Sequence, residues 1–575
     1  MMTSQKASFV IMLFLSASSF AQFFDTKELR PGMKATGYTV FSSSKGIEPF
    51  EIEILGQMKN AVGPGQNLLI ARVLGERFTK SSVAAGMSGS PVYIDGKLVG
   101  ALSYAFGHFT NEAIAGITPI QNMLGDIHLR HLSSVALAKG EGFGGRAQDD
   151  RAMRPIALSL VAQGLSPRVA KYFDKELQGK GLATPVLAAG GFGPGFAEAS
   201  TGRQELKPGS PFAMILIGGD MNLSAIGTVT WVSGSQMIGL GHPFLQNGVS
   251  ELPLAGAEIV TTIFGQDEPY KMGQPTQIMG VLTGDRSSGV TGVLGSKPRV
   301  MPLEVQIGDK TFHYDISRTG KDTLFLTSIA LSNSLAMTPE HELGGSYLLN
   351  TEVKMTGGEK ISYERMVAVS GLPLEPLAIA SFLEPVMLLQ NQDFKKSEFE
   401  SMKIRVEHTG EIKTARLLGF TIFSDPQPGK SLELMVYTQP WRKKLEKQHV
   451  VLNMPYWNIA GDYQIIGLDR AASLALEKES GYWSEIPNYA VLLSKIQTMP
   501  KDTEVCFYLK ESDQSSNFLG YNLTDLPISL KESLTNVRAG SEMAFNTKAT
   551  RLGCVDLRAV VTGKVLKDYG EKKQP

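Results

Sequence analysis

Apolar and polar positions alternate with a period of two through much of the chain. In Pro49–Leu55, Phe50, Ile52 and Ile54 fall on one face and Glu51 and Glu53 on the other, which predicts a half-buried strand. "TGYTVF" before it and "NLLIARVL" after it carry the same signature, and so do "PFAMILIGG", "SAIGTVTWV" and "SQMIGLG" further along. "PVYI" and "KLVGALSY" flank Asp95-Gly96, a pair suited to a two-residue type I′ turn, and predict a hairpin. A helical period replaces the alternation in only a few places, chiefly "SPRVAKYFDKEL" and "LAIASFLEPVMLLQNQ".

These patterns predict a mainly β protein of several domains, since 575 residues exceed what a single core supports. Residues 1–21 read as a signal peptide: Lys6, the apolar run Ala7–Leu15, then Ser19 and Ala21 before a cut. A β half over 22–135 follows, then a linker or helical insertion over 136–205 and a second β half over 206–375. A helical connector over 376–398, a sandwich-like domain over 399–468 ("IKTARLLGFTIFSD", "PGKSLELMVYTQP", "QHVVLNMP") and an α+β region over 469–575 complete the chain. No internal repeat is legible in the sequence.

Charge narrows the partners. Lysine plus arginine, 56, equals aspartate plus glutamate, and there is no basic run to attract nucleic acid or an anionic membrane. With no apolar stretch left after signal cleavage that could span a bilayer, the expected location is the periplasm or the outside, and sequence leaves the oligomeric state open. Two cysteines, Cys506 and Cys554, lie in β-like runs; an exported protein permits a disulfide between them, and two free buried thiols are the alternative. Phosphate loops, dinucleotide fingerprints and zinc spacings are missing, so neither a cofactor nor a metal is expected.

The candidate chemistry lies in "AAGMSGSPVYIDGKLVGALSYAFGH", Ala84–His108. Ser88 sits among glycines, where the backbone can turn sharply and approach a substrate without a Cβ in the way. The amides of Gly86 and Ser88 could converge on a developing oxyanion, although Gly-Ser clusters also serve as plain turns. A serine hydroxyl needs a base, and among eight histidines His242 stands out in "MIGLGHPF", set at a strand end between Gly241 and Pro243. His128 and His131 ("HLRH") lack a companion ligand motif, His108 closes the serine stretch itself, and His313, His341, His408 and His449 read as solvated.

"GMSGSPVYIDGKLVGALSY" resembles the nucleophile segment of chymotrypsin-fold serine peptidases, and "GMSGSP" with "GKLVGAL" resembles more narrowly the SpoIVB type, peptidase family S55. The similarity extends over about Gly32–Leu124, and the "GTVTW" strand with its Gly-His turn is similar to that family's histidine segment. The resemblance implies a double β-barrel and an exported serine endopeptidase, self-processing or not. Ser88 would be the nucleophile, His242 the general base, Gly86 and Ser88 the oxyanion hole, and Ser103-Tyr104-Ala105 the strand that binds an extended peptide backbone.

Two features depart from the pattern. The serine segment precedes the histidine segment here, the reverse of the family order. Where the family has its aspartate, shortly upstream of the serine, this chain has an apolar stretch around Val73 with Glu76 nearby. Asp285 in "LTGDRSSGV" is the preferred orienting acid and Asp220 in "IGGDMNLS" the runner-up, each also suited to capping a turn. The alternative is a protease-fold peptide-binding or scaffolding protein of the cell envelope that has lost turnover.

Overall fold

A computed structural model describes residues 22–79, 81–106, 112–128, 153–180, 182, 186–188, 205–265, 269–320, 322–338, 344–369, 382–395, 398–456, 463–483, 486–511, 516–518, 521–523 and 549–569. The signal peptide expected over 1–21 lies outside these residues, as do His108, His131, His341 and most of the expected 136–205 linker. The fold is mainly β, in several sheets. It divides into two compact units, 1–304 with 312–337, and 305–311 with 338–575, so the β half expected over 206–375 is shared between them.

In the first unit, six strands form a hydrogen-bonded circuit. These are β1 (Lys34–Val40), β2 (Ile47–Gly63), β3 (Gln66–Val73), β4 (Pro91–Ile94), β5 (Lys97–Phe106) and β6 (Ala113–Pro119). Their order is β1-β2-β3-β6-β5-β4, and β4 returns to β1 through Thr36↔Tyr93 and Gly37↔Val92. Closure leaves no sheet edge around most of the ring. Phe50, Ile52 and Ile54 are buried as their alternation requires, in a cluster with Leu69, Ala71, Val92, Val99, Leu102 and Ile117. Asp95 and Gly96 both take positive φ, 48° and 74°, the geometry of a type I′ turn. β5 then runs on past the end of its partner β4, which stops at Pro91↔Ala101.

Between this circuit and the next lie β7 (Met153–Pro155), β8 (Ser159–Gln163), a helix at Pro167–Gly179 and β9 (Val186–Ala188). The helix has Pro at its start and buries Val169, Ala170, Phe173 and Leu177, the stripe that its period predicted. Phe173 meets Phe325 of a second helix, Asp322–Ala336, at 5.8 Å. That second helix is nearly all buried, so no polar face marked it in the sequence.

The next six strands repeat the first arrangement. β10 (Pro211–Gly219), β11 (Asn222–Ser233), β12 (Gln236–Gly239), β13 (Gly248–Ile263), β14 (Tyr270–Arg286) and β15 (Gly289–Leu294) pair in the order β10-β11-β12-β15-β14-β13. β13 returns to β10 at Phe212↔Gly256 through Met214↔Leu254. Numbered within each circuit, both read 1-2-3-6-5-4, a repeat of topology without a repeat of sequence. Ala213, Ile215, Ile226, Ala255, Ala257 and Ile259 form the second interior. Leu98 and Ala101 of β5 share a further cluster with Ile238 of β12, which explains why β5 is apolar almost throughout rather than alternating.

The second unit holds two four-stranded sheets that share one apolar cluster, with Leu432, Leu434 and Val436 from one and Ile465, Val505 and Phe507 from the other. Strands 463–468, 504–511, 549–556 and 564–569 build the second of these sheets. The sandwich-like arrangement expected over 399–468 therefore takes in strands of the expected 469–575 region, and 399–409 pairs instead with 345–355. Cys506 and Cys554 are disulfide-bonded across directly paired positions. Buried Glu477 anchors the helix at Arg470–Glu479 by accepting from Tyr508 Oη at 2.8 Å, from Trp483 Nε1 at 3.2 Å and from Arg551. Among the described residues, no helix is long and apolar enough to cross a membrane.

Candidate functional site

Ser88 and His242 belong to different circuits of the first unit, and the fold brings their turns together. The Ser88 hydroxyl donates to the carbonyl of Leu240 at 2.9 Å, 152 positions away. Ser88 is fully buried and His242 is 3% exposed.

The serine turn is bonded at every carbonyl from Ala84 to Gly89. Met87 N–H donates to Ala84 O, Lys271 N–H to Ala85 O and Ser90 N–H to Met87 O, while Thr228 N–H donates to Ser88 O. The hydroxyls of Thr228 and Thr230, on β11, donate to Gly86 O and Gly89 O, each at 2.8 Å. Glycine is required at 89: φ is +95°, and a Cβ there would lie 1.9 Å from Thr228 O.

Beneath Gly86 lies Lys271, fully buried, its amine donating to Thr39 Oγ1 at 2.7 Å and Thr228 Oγ1 at 3.1 Å. Burial away from water pushes its pKa down to about 7, because no carboxylate bonds the amine and the charged form has lost its hydration. Lys271, Thr228 and the Gly86 carbonyl form a relay that fixes the Gly86–Met87 peptide. No sequence signal marked this lysine, whose neighbours in "PYKMGQ" indicate only a strand.

The histidine turn is built differently. Leu240 takes φ +69°, a strained value for a branched residue, and Gly241 takes +81°. A Cβ on Gly241 would lie 2.8 Å from Ser103 Cβ, so the turn packs directly on β5. Thr118 Oγ–H donates to Gly241 O at 2.6 Å, and Ser103 Oγ lies 2.7 Å from that Thr118 oxygen. His242 Nδ1 bonds the Pro243 carbonyl at 2.7 Å, which fixes that nitrogen as the protonated one. Nε2 is left buried with no bonded partner. Burial drives the imidazole pKa down to about 4, against smaller opposing effects of the Pro243 and Ile156 backbone, so the ring is neutral at pH 7.

Asp285 stands near His242 but serves the backbone. Its carboxylate accepts from the amides of Phe244 at 2.7 Å, Leu245 at 2.7 Å and Asn247 at 3.3 Å, and so holds the turn that follows the histidine. Desolvation raises its pKa, and the amides pull it back down. The orienting role expected for Asp285 thus acts on the 243–247 backbone, since His242 Nδ1 is already taken by Pro243. Asp220, just after β10, accepts from His313 N–H at 2.7 Å where that strand's end pairs with Tyr314–Ile316, and makes no hydrogen bond to His242, whose Nδ1 is taken by Pro243 and whose Nε2 has no bonded partner.

The strand Ser103-Tyr104-Ala105 lies on β5 beside His242, with the Tyr104 and His242 ring centroids 6.3 Å apart. Its outer edge pairs with β7, at Tyr104↔Pro155 and Ala105↔Arg154, and Ile156 N–H donates to Ser103 O at 2.8 Å. The expected oxyanion amide of Gly86 donates to Ala157 O at 3.1 Å. Of the other histidines, His313 and His449 are exposed, as expected. His408 is instead half-buried against Tyr347, with Nε2 3.0 Å from Gly344 O. The only metal-like grouping among the described residues, Glu504 with Cys506 and Cys554, is spent on the disulfide.

No protein-family model matches the chain, and no curated protein or solved structure matches it.

Proposed function

We propose that the first unit is a serine endopeptidase with a chymotrypsin-like pair of barrels, similar to the SpoIVB type, in an exported protein. The two six-strand circuits of identical order support the double-barrel reading. The observation that carries the function is the 2.9 Å bond from Ser88 Oγ to the Leu240 carbonyl, which sets the candidate nucleophile against the turn of the candidate base. In the reaction, Ser88 Oγ bonds to the substrate carbonyl carbon as His242 Nε2 takes its proton. The Gly86 and Ser88 amides receive the oxyanion, the proton passes to the leaving amine, and water releases the acyl group by the reverse steps. This chemistry calls for no cofactor. Export is supported by the character of residues 1–21 and by the disulfide, which persists in oxidising compartments.

The histidine ring must leave Pro243 or tilt to reach the serine, and the resting geometry favours a second reading: a peptide-binding protein on the same scaffold, without turnover. A fluorophosphonate, which reacts only with an activated serine, separates the two. Labelling of the mature protein that Ser88→Ala and His242→Ala both abolish supports the peptidase. A folded protein that never labels supports the binding module.

A further inference from the structure

β5 has a free edge by construction. β4 covers it only as far as Ala101, so residues 103–106 expose backbone donors and acceptors of the kind an extended peptide adds to. The chain itself occupies that edge. Met153, Arg154 and Pro155 pair antiparallel with Phe106, Ala105 and Tyr104, Ile156 N–H reaches Ser103 O, and Ala157 O receives the Gly86 amide. Ile156 is 2% exposed and enters the first circuit's core cluster, whereas Pro155 and Ala157 are exposed. Beyond Leu158 the chain joins the second circuit, β8 pairing with β11 from Ser159↔Ile226 to Gln163↔Asn222. The segment therefore crosses from one circuit to the other over the serine and histidine turns.

We infer that Met153–Leu158 is an intramolecular peptide ligand of this cleft, bound where a substrate strand would lie, and that it must be displaced before another peptide enters. The inference rests on the peptidase or peptide-binding reading of the same site. Its contacts are those of an inhibitor rather than a substrate. The amide bonded to Ser103 belongs to Ile156, whereas the carbonyl bonded to Gly86 belongs to Ala157, so the two anchoring contacts are split between neighbouring residues. Ser88, meanwhile, gives its hydroxyl to Leu240 and attacks neither carbonyl. Only four backbone positions hold the strap to β5, and Pro155 contributes no N–H, so release costs few hydrogen bonds. The preferred ligand follows from the strap's chemistry: an extended segment with an aliphatic residue at the place of Ile156, followed by a small one.

Locking and loosening the strap test this in the full-length mature protein. Ala105→Cys with Arg154→Cys places two thiols at directly paired positions. Oxidised, this variant should label with a fluorophosphonate at least tenfold more slowly than when reduced, while the same reductant leaves the wild-type rate unchanged. Ile156→Pro, which deletes the amide bonded to Ser103, should label at least tenfold faster than wild type. Equal rates for the locked and reduced forms overturn the inference. If no form labels, the peptidase reading fails and the strap is judged by a fluorescent peptide of sequence Met-Arg-Pro-Ile-Ala-Leu. Binding to Ile156→Pro and to the reduced variant, but not to the locked one, upholds the strap; equal binding to all three, or to none, overturns it.

Discussion

The serine turn and the histidine turn pack directly against each other and are held by opposite means. Six successive carbonyls of the serine turn are bonded, by donors from its own backbone and from β11 and β14 of the other circuit. Leu240 and Gly241, at the start of the histidine turn, are bonded to Ser88 and Thr118, but the amides that follow the histidine, at 244, 245 and 247, depend on a single carboxylate, Asp285, and the ring nitrogen Nε2 has no bonded partner. A distributed network loses little when one donor goes, whereas a turn hung on one group loses its shape with that group. The serine turn is thus a fixed platform, and residues 243–247 after the histidine are the side able to adjust.

The sharpest way to break the platform is steric. Gly89→Ala forces a Cβ to within 1.9 Å of Thr228 O in a left-handed conformation, and the first unit should lose about 4 kcal/mol or more. Urea unfolding read by amide exchange in β11 checks it.

Acid should act on the other turn. His242 is neutral in the fold with a pKa of about 4, against an ordinary value of 6.5 when the chain is unfolded. Between these values the unfolded chain binds the additional proton. Its contribution is therefore fully present above pH 6.5 and lost as the pH falls towards 4, a decline of about 3 kcal/mol. His242→Gln should flatten that acid limb; an unchanged limb would assign it to other groups.

Smaller effects sharpen the contrast between one anchor and many. Asp285→Ala strands three amides and should cost about 2–3 kcal/mol, slowing fluorophosphonate labelling as the 243–247 turn loosens. Thr230→Val strips the donor from one of the six bonded carbonyls of the serine turn and should cost about 1 kcal/mol with labelling little changed. Equal costs and equal labelling for the pair would show that the two turns are equally robust.

Much of the site could be read from residues that act locally. Gly86, Gly89 and the Asp95-Gly96 turn follow from backbone conformations that few residues accept, so their types disclosed the hairpin and the sharp serine turn. His242 was legible for the same reason, through Gly241 and Pro243. Lys271, Thr228 and Thr230 were not. Each sits in an ordinary strand pattern, and its importance comes from what packs against it more than forty or a hundred positions away. Asp285 was found, but whether it would bond the ring or the backbone depended on where three amides fell.

By itself the sequence determined the strands, the hairpin and the glycine-rich turns, because alternation and φ preferences are properties of a few adjacent residues. The tertiary structure alone decided that two circuits share one strand order, that β4 ends early enough to free an edge of β5, and that residues 153–156 fill that edge. Those outcomes depend on which backbone groups remain unpaired after distant strands have met, and no local pattern records that.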